Sequence, residues 1–297
     1  MKVSLIERLL STRGGRLKNL KKRVISFLSS IPKEKISNEQ SRVLEYLIHN
    51  EITVFPYPFV NEYLSLEINL KYDQTEDLLY TLFDGKKLFY KNGSQKNKAK
   101  KYFKAILIEQ DKRSPHRYLS ENFNVNENDV VVDVGAAEGN FTLSVIEKVK
   151  HVYLFEPDKN WVKALEATFK PWKEKVTIVN KFISNITDES KQTVSLDDFF
   201  DKKIINFLKA DVEGFEMRLL KGGKKIIDAN KQLKIAICTY HNQEDAEQIQ
   251  EILRNQNFNC DFSNGYMLYY YGRSNVVKEP YLRRAILRAE KSETTSS

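Results

Sequence analysis

Acidic side chains and a histidine follow several apolar runs of the sequence, at the points where strands of a buried sheet would end. In the stretch ADVEGFE, Asp211 and Glu213 come directly after the run INFLKA, and His241 follows the run KIAICTY. Buried strands rarely end in unpaired acids, so these side chains are expected to face a ligand-binding cleft. A carboxylate and a histidine at one cleft can hold a hydroxyl group and accept its proton.

A glycine-rich turn, DVGAAEGN, follows the run DVVVDV and is typical of a cofactor-binding loop. Asp133 ends the run, Gly135 begins the turn and Gly139 opens the next helix, where backbone N–H groups are free to bind a carboxylate. A dinucleotide fingerprint requires glycine at 135, 137 and 140. The S-adenosylmethionine pattern requires glycine at 135, 137 and 139. It fits better, because only Ala137 departs from it, whereas Ala137 and Asn140 both depart from the dinucleotide fingerprint. The alternative is a tight turn without a ligand.

The next two strand ends suggest further cofactor contacts. Glu156 follows the run HVYLF, 21 residues after Gly135. A carboxylate at this position can accept hydrogen bonds from both hydroxyls of a ribose, although a solvated acid at a helix start is the alternative. In the later stretch NKFISN, Phe182 or Ser184 is placed to contact an adenine.

The elements that must position these residues alternate between strand and helix from residue 128 onwards. Helices are expected at 140–149, 159–171, 215–229 and 243–255, between five apolar strands. This order predicts a parallel sheet covered on both faces, so the strand ends meet at one edge. Two last runs, 257–262 and 266–271, are expected to form an antiparallel hairpin. The prediction is an α/β fold with a class I methyltransferase (Rossmann-like) sheet, mostly parallel with an antiparallel C-terminal hairpin.

The N-terminal region does not show this alternation of strands and helices. The pattern predicts two helical pieces within 3–30, broken at Gly14-Gly15, and helices at 38–50 and 97–110. Asp84-Gly85 marks a β-hairpin within 78–91. The sequence therefore predicts an N-terminal accessory region, 1–108, and a catalytic domain, 109–297.

Cysteine content and hydropathy exclude several classes of protein. The two cysteines, Cys238 and Cys260, are too few for a disulfide framework and do not have the spacing of a zinc site. The sequence contains no apolar segment of 18 residues and no pattern of a secretory signal. A cytoplasmic location is the expectation.

The positive charge is concentrated at the N-terminus. Residues 1–35 contain ten Lys or Arg and two Glu, a net charge equal to the +8 of the chain. The balanced remainder argues against a body that binds nucleic acid. The second helical piece has an apolar face flanked by basic residues, so residues 1–31 are predicted to dock on an anionic membrane surface or an acidic partner, peripheral at the inner face. The alternative is that this face packs on the catalytic domain or on a second copy.

Several stretches resemble the FkbM-type methyltransferase family when taken together and in order. They are VVDVGAAEGNFTL, LFEPD, TVSLDDFF, LKADVEGFEMRLLKGG and ICTYH, with weaker likeness in EQDKRSPHRYL and YLRRAILRA. The resemblance implies S-adenosylmethionine as methyl donor and a hydroxyl acceptor on a sugar or small molecule. Two positions depart from the family pattern: Glu138 replaces an apolar residue of the turn, and Thr239 stands where an acid often precedes the histidine.

Carried over by position, the resemblance implies a cofactor site and an acceptor site. The predicted cofactor set is Asp133, Gly135, Ala136, Glu138, Gly139, Asn140, Glu156, Pro157 and Ser184. The predicted acceptor side has His241 as general base, with Asp211 and Glu213 beside it, and His116, Asp197 and Tyr240 as substrate contacts. A divalent ion held by Asp197, Asp211 and Glu213 is a variant of this hypothesis, although a metal-free site is the main prediction.

The predicted function is an S-adenosylmethionine-dependent O-methyltransferase that acts on a sugar, glycan or glycan precursor. A nucleic-acid methyltransferase is disfavoured by the balanced body and the lack of an N-P-P-Tyr type of motif. A nicotinamide-dependent oxidoreductase is disfavoured by Ala137 and Asn140. A non-catalytic binding module would not need the acids and the histidine.

Overall fold

The computed structural model describes residues 14–270 and 277–291. Its N-terminal part contains helices and a small antiparallel sheet. The helices are α1 (Gly14–Ser30), α2 (Asn38–His49), α3 (Val60–Leu64) and α4 (Lys96–Glu109). The strands are β1 (Lys71–Asp73), β2 (Leu78–Phe83) and β3 (Lys86–Phe89), and β2 pairs with both of the others. The predicted hairpin at Asp84-Gly85 and the two predicted helices after residue 35 are confirmed.

A seven-stranded sheet forms the centre of the molecule. Its strands are β4 (Val130–Val134), β5 (His151–Phe155), β6 (Val176–Val179), β9 (Phe207–Ala210), β10 (Lys234–Cys238), β11 (Phe258–Phe262) and β14 (Ile286–Lys291). Short pairs lie outside it: β7 (Phe182–Ile183) with β8 (Thr193–Val194), and β12 (Met267–Leu268) with β13 (Leu282–Arg283). The central order is β6-β5-β4-β9-β10-β14-β11, and only β14 runs antiparallel to its neighbours. The predicted fold class is confirmed.

Helices cover both faces of this sheet. They are α5 (Asn140–Val145), α6 (Lys159–Phe169), α7 (Leu196–Phe200), α8 (Glu216–Gly222), α9 (Lys224–Ala229) and α10 (Asp245–Asn255). One core holds residues of α4, α5 and α6, and the other holds residues of α7 to α10. Burial on both faces explains why the parallel strands read as nearly continuous apolar runs. The predicted helix 215–229 is in fact two helices, which are separated at Gly223, where the backbone leaves the helical conformation (φ −115°, ψ 11°).

The partner of β11 differs from the prediction. The described part of the predicted second strand, 266–270, does not pair with 257–262. Strand β14 pairs with β11 instead, with Phe258 opposite Lys291 and Phe262 opposite Leu287. The run at 266 instead turns towards the N-terminal helices, where the Leu268 N–H donates to the carbonyl oxygen of Val54 (2.8 Å). The turn-forming residues Ser263-Asn264-Gly265 suggested a local hairpin. In the structure Leu268 is buried beside α1 and α2, so the segment after this turn does not pair with β11.

The apolar face of α1 is used inside the molecule. Leu20, Val24 and Leu28 are buried in a cluster with residues of α2, Leu268 and Tyr281. For residues 14–31 the apolar face packs inside the molecule, as the alternative predicted. Docking of residues 1–31 on an anionic membrane surface or an acidic partner stays a prediction. Residues 1–13 lie outside the described residues. Within the described ranges, no helix combines the length and apolarity needed to cross a membrane.

Candidate functional site

The loops that follow β4 and β9 are in direct contact at one edge of the sheet. Gly135 has φ +73°, and a Cβ at this position would lie 1.9 Å from the carbonyl oxygen of Asp211. Only glycine permits that approach. The glycine turn and the acid-bearing turn are therefore two walls of one site.

Glu156 is fixed at the rim of the glycine turn. Its carboxylate accepts hydrogen bonds from the backbone N–H groups of Ala137 (2.9 Å) and Asp158 (2.7 Å). The side-chain amide of Asn180 donates to the carbonyl oxygens of Glu156 (2.8 Å) and Pro157 (3.0 Å), which holds the loop after β5. Ala137, where the S-adenosylmethionine pattern has its middle glycine, adopts the glycine-like φ of +47°.

A second buried carboxyl group, Glu138, lies in the same turn. Its Oε2 accepts a hydrogen bond from Tyr102 Oη (2.5 Å), on α4. Burial raises the pKa of both Glu138 and Glu156 to about 7. Their ionised forms would be stabilised by a bound cation. The turn therefore fits S-adenosylmethionine, which carries a positive sulfonium and offers ribose hydroxyls to Glu156.

Asp133 has a structural role that differs from the predicted one. It is fully buried, forms an ion pair with Lys209 (Nζ to Oδ1, 2.9 Å), and accepts a hydrogen bond from Thr142 (2.8 Å). Lys209 also donates to the carbonyl oxygen of Gly135 (2.8 Å). Asp133 and Lys209 are cross-strand partners of β4 and β9. This pair supports the glycine turn from the side of the sheet and does not face the cleft.

Of the other predicted cofactor residues, Ala136, Gly139 and Asn140 lie in the glycine turn or at the start of α5, whereas Ser184 lies after β7. Ala136 and Asn140 are buried, and Gly139, with φ +80°, packs so tightly that a Cβ would lie 2.7 Å from Leu165. Ser184 is buried after β7, where its hydroxyl lies 3.3 Å from Asn185 Oδ1. Direct contact of these residues with a cofactor stays a prediction.

Asp211 is the centre of a polar cluster. Its carboxylate accepts hydrogen bonds from the hydroxyls of Tyr118 (3.1 Å) and Tyr240 (3.4 Å). The Nε2 atoms of His241 and His116 lie 3.5 Å and 3.9 Å from it. Burial is the largest influence on Asp211 and opposes its ionisation, but His241, Lys209 and the other neighbouring groups together outweigh burial and lower the pKa. With 22% of its side chain exposed, Asp211 is an anion that a ligand can reach.

His241 is held between two carboxylates. Its Nδ1 lies 2.8 Å from Oε1 of the buried Glu216, on the side away from Asp211. Burial alone would lower the pKa of His241, but Glu216 and Asp211 outweigh it and raise the pKa to about 9. The residue is therefore an imidazolium at neutral pH. A raised pKa favours the protonated form at neutral pH and so disfavours His241 as general base, and its catalytic role stays a prediction.

His116 has the opposite charge state. It is buried against the rings of Phe55, Tyr118 and Tyr240, and burial lowers its pKa to about 4. Its Nε2 lies 3.1 Å from Tyr240 Oη. A neutral histidine and a protonated one thus flank the same carboxylate.

Two predicted acceptor residues have other surroundings. Asp197 accepts hydrogen bonds from the backbone N–H groups of Lys225 (3.2 Å) and Ile226 (2.9 Å). Asp197 therefore caps α9. This arrangement does not agree with the predicted contact of Asp197 with the acceptor, or with the divalent-ion site that included it. Glu213 lies in the sharp turn after Asp211, with φ +54°, and its charge contributes to the raised pKa of His241.

Four residues of the site have no place in the sequence-based prediction: Glu109, Tyr118, Lys209 and Glu216. Glu216 is the third acid of ADVEGFE, so its spacing could have revealed it. Lys209 is a charged residue within a buried strand, so the sequence also indicated that it needs a partner of opposite charge. Glu109 is buried at the end of α4, and burial together with Asp211 and Glu138 raises its pKa well above the ordinary value. Its Oε1 has no hydrogen-bond partner among the described residues.

Ligand atoms of Asp211, Glu216 and His241 lie within 4.8 Å of one another. The ion pairs between them already account for this spacing. The grouping differs from the divalent-ion variant proposed from the sequence, which relied on Asp197.

Comparison with family models assigns the two halves of the site. Residues 164–262, which include Asp211 and His241, match the methyltransferase FkbM domain. Residues 98–202, which include the glycine turn and Glu156, match ribosomal RNA adenine dimethylase. Both models describe methyltransferases, which supports S-adenosylmethionine as the expected methyl donor.

Several solved structures of low sequence identity are similar to parts of the chain. A methyltransferase FkbM from Methylobacillus flagellatus is 16% identical with a TM-score of 0.46, covering 92% of this chain and 59% of its own. A precorrin-6y C5,15-methyltransferase from Geobacter metallireducens is 15% identical with a TM-score of 0.39, covering 57% of this chain and 84% of its own. An rRNA methylase from Streptococcus thermophilus is 17% identical with a TM-score of 0.37, covering 56% and 89%. No curated protein matches the chain significantly.

Proposed function

We propose that the protein is an S-adenosylmethionine-dependent O-methyltransferase whose acceptor is a hydroxyl group of a sugar, glycan or glycan precursor. The observation that carries this proposal is the ionised, partly exposed Asp211, which lies beside the glycine turn between two tyrosine hydroxyls. Such a group suits an alcohol, which must be oriented and must lose a proton. The FkbM match covers this half of the site.

In the proposed mechanism each residue has a role set by its charge state. S-adenosylmethionine, when bound, supplies an electrophilic methyl group. Glu156 binds the ribose hydroxyls, and ionised Glu138 stabilises the positive charge of the cofactor. Asp211 accepts a hydrogen bond from the acceptor hydroxyl and takes its proton as the methyl group is transferred. Protonated His241 balances the charge of Asp211 and, with Glu216 behind it, acts as a positioning residue.

An acceptor screen with methyl-labelled S-adenosylmethionine tests the proposal. The purified full chain is incubated with sugars, alkyl glycosides and, separately, with RNA. Label in the glycosides or sugars supports the proposal, whereas label in RNA alone overturns it.

An adenine base of RNA is the second candidate acceptor. The match of residues 98–202 to ribosomal RNA adenine dimethylase favours it. That match covers the cofactor half and ends before Asp211, so it supports the cofactor more directly than the acceptor.

A further inference from the structure

An apolar groove lies behind the site, between α4 and the segments that flank α3. Its volume is about 370 Å³, within the range of about 300–1,000 Å³ that small-molecule sites occupy. Val54, Phe55 and Ile108 contribute buried walls, whereas Leu64 and Leu66 stand at its mouth with 63% and 40% exposure. Exposed leucines beside an apolar cavity are typical of a binding surface.

Positive charge surrounds this groove. Lys100, Lys101 and Lys104 line it from a single face of α4, and the acid among the described lining residues is Glu67. Lys104 also donates to the carbonyl oxygen of Leu64 (2.7 Å), which ties the mouth to α4. Lysine binds phosphate as a point charge, so an anionic group is expected at this rim.

The groove shares its walls with the polar cluster of the site. The ring of Phe55, inside the groove, lies 6.1 Å from the ring of His116. Ile108 faces the groove, while the next residue, Glu109, is the buried carboxyl group beside Asp211. One layer of side chains therefore separates the groove from the site.

We propose that the groove binds the apolar chain of an anionic amphiphile, with its phosphate at the three lysines, and that this amphiphile is the carrier part of the acceptor. The assignment as carrier rests on the proposed function; binding itself does not. The apolar walls account for the chain, the lysine rim for the anion, and the shared wall for proximity to the site.

Calorimetry on the full chain with dodecyl phosphate, kept below its critical micelle concentration, tests the proposal. We expect saturable binding of dodecyl phosphate, with inorganic phosphate and dodecyltrimethylammonium at least tenfold weaker. The double variant Lys100→Glu/Lys101→Glu should weaken dodecyl phosphate binding at least tenfold. The control Lys96→Glu/Lys98→Glu, on the same helix but outside the groove, should change it less than twofold.

The proposal is overturned if the wild-type protein does not bind dodecyl phosphate, if both double variants weaken binding equally, or if only anionic vesicles bind. Binding that appears only after deletion of residues 1–13 also overturns it, because that segment would then be the occupant. Unchanged affinity for S-adenosylmethionine shows that each variant is folded. Binding of dodecyl phosphate without methyl transfer to any alkyl glycoside would support the groove as a binding site and contradict the proposed function.

Discussion

The charge states of two histidines decide how the acceptor side works. The reference pKa of histidine, near neutrality, made His241 the natural base from the sequence. The structure surrounds it with Glu216 and Asp211, so it is a cation, while His116 is kept neutral by burial. In the proposed mechanism Asp211, which lies near both histidines, takes the proton of the acceptor.

Replacing Glu216 should lower the pKa of His241. In the variant Glu216→Gln a neutral amide replaces the carboxylate that contributes most to raising this pKa, so burial should move the value down from about 9. Titration of the His241 Cε1–H signal by NMR measures the change. Glu244→Gln, at an exposed acid three residues after His241, is the matched control. An unchanged His241 pKa in Glu216→Gln would contradict the assignment.

Binding of S-adenosylmethionine should strengthen as pH rises through 7. The pKa values of Glu138 and Glu156 are raised to about 7, so both groups gain negative charge between pH 6 and 7.5. If one of these protons must leave for the cation to bind, affinity should rise roughly tenfold over this interval. Calorimetry at several pH values checks it, and Glu156→Gln should bind more weakly with a smaller pH dependence. A flat profile in the wild-type protein would contradict this account.

Sequence reasoning located the site residues better than it assigned their roles. Asp211, Glu156 and the glycine turn could be predicted because strand ends converge at one sheet edge. The role of Asp133 could not, since its pairing with Lys209 depends on strand register. The protonation of His241 likewise depends on Glu216, which reaches it from α8.

Among the elements, the turn after β4 has the strictest geometric requirement. Gly135→Ala combines left-handed strain with a Cβ 1.9 Å from the Asp211 carbonyl oxygen, so it should lower the free energy of unfolding by about 2–5 kcal/mol. Gly85→Ala is the control, because Gly85 has φ +76° but no atom within 4 Å of the added Cβ. It should cost about 1 kcal/mol. Urea denaturation measures both, and equal losses would show that the contact with Asp211 is unimportant.

Helix α1 should stabilise the fold through its buried face. Leu28 is fully buried among α2 and the β12–β13 pair, so Leu28→Ala should lower the free energy of unfolding by about 2–5 kcal/mol. Its exposed neighbour Ser29 provides the control Ser29→Ala, which should change stability little. A Leu28→Ala protein as stable as the wild type, yet unable to bind anionic vesicles, would restore the membrane interpretation.

Hydrophobic periodicity predicted the five parallel strands β4, β5, β6, β9 and β10 and the long helices between them, because the sheet is covered on both faces. It did not predict the short elements β7, β8 and α7. It failed where pairing is non-local. Both β11 and residues 266–271 have strand-like composition, so the sequence suggested that they pair. In the structure Leu268 is buried on the N-terminal helices, and β14, which begins at residue 286, pairs with β11 instead. The domain division at 108/109 stays a prediction; it falls at the end of α4.

In the whole molecule, α4 contributes contacts to the glycine turn, to the polar cluster around Asp211 and to the apolar groove. Tyr102 bonds to Glu138 of the glycine turn, Glu109 lies beside Asp211, and Lys100 and Ile108 line the apolar groove. The N-terminal part of the chain thus completes the site that the sheet begins. A change at Tyr102 is therefore expected to affect the cofactor side, and a change at Glu109 the acceptor side, whereas exposed lysines of α4 should leave cofactor affinity unchanged.

The most direct test of the account is transfer of a labelled methyl group from S-adenosylmethionine to an alkyl glycoside by the wild-type protein and by Asp211→Asn. The variant keeps the size and shape of the side chain but removes the proton acceptor. We expect labelled glycoside with the wild-type protein and a loss of about a hundredfold to ten-thousandfold in kcat with Asp211→Asn, while affinity for S-adenosylmethionine stays within a few-fold. Near-normal turnover by Asp211→Asn would contradict the central claim that Asp211 takes the proton of the acceptor.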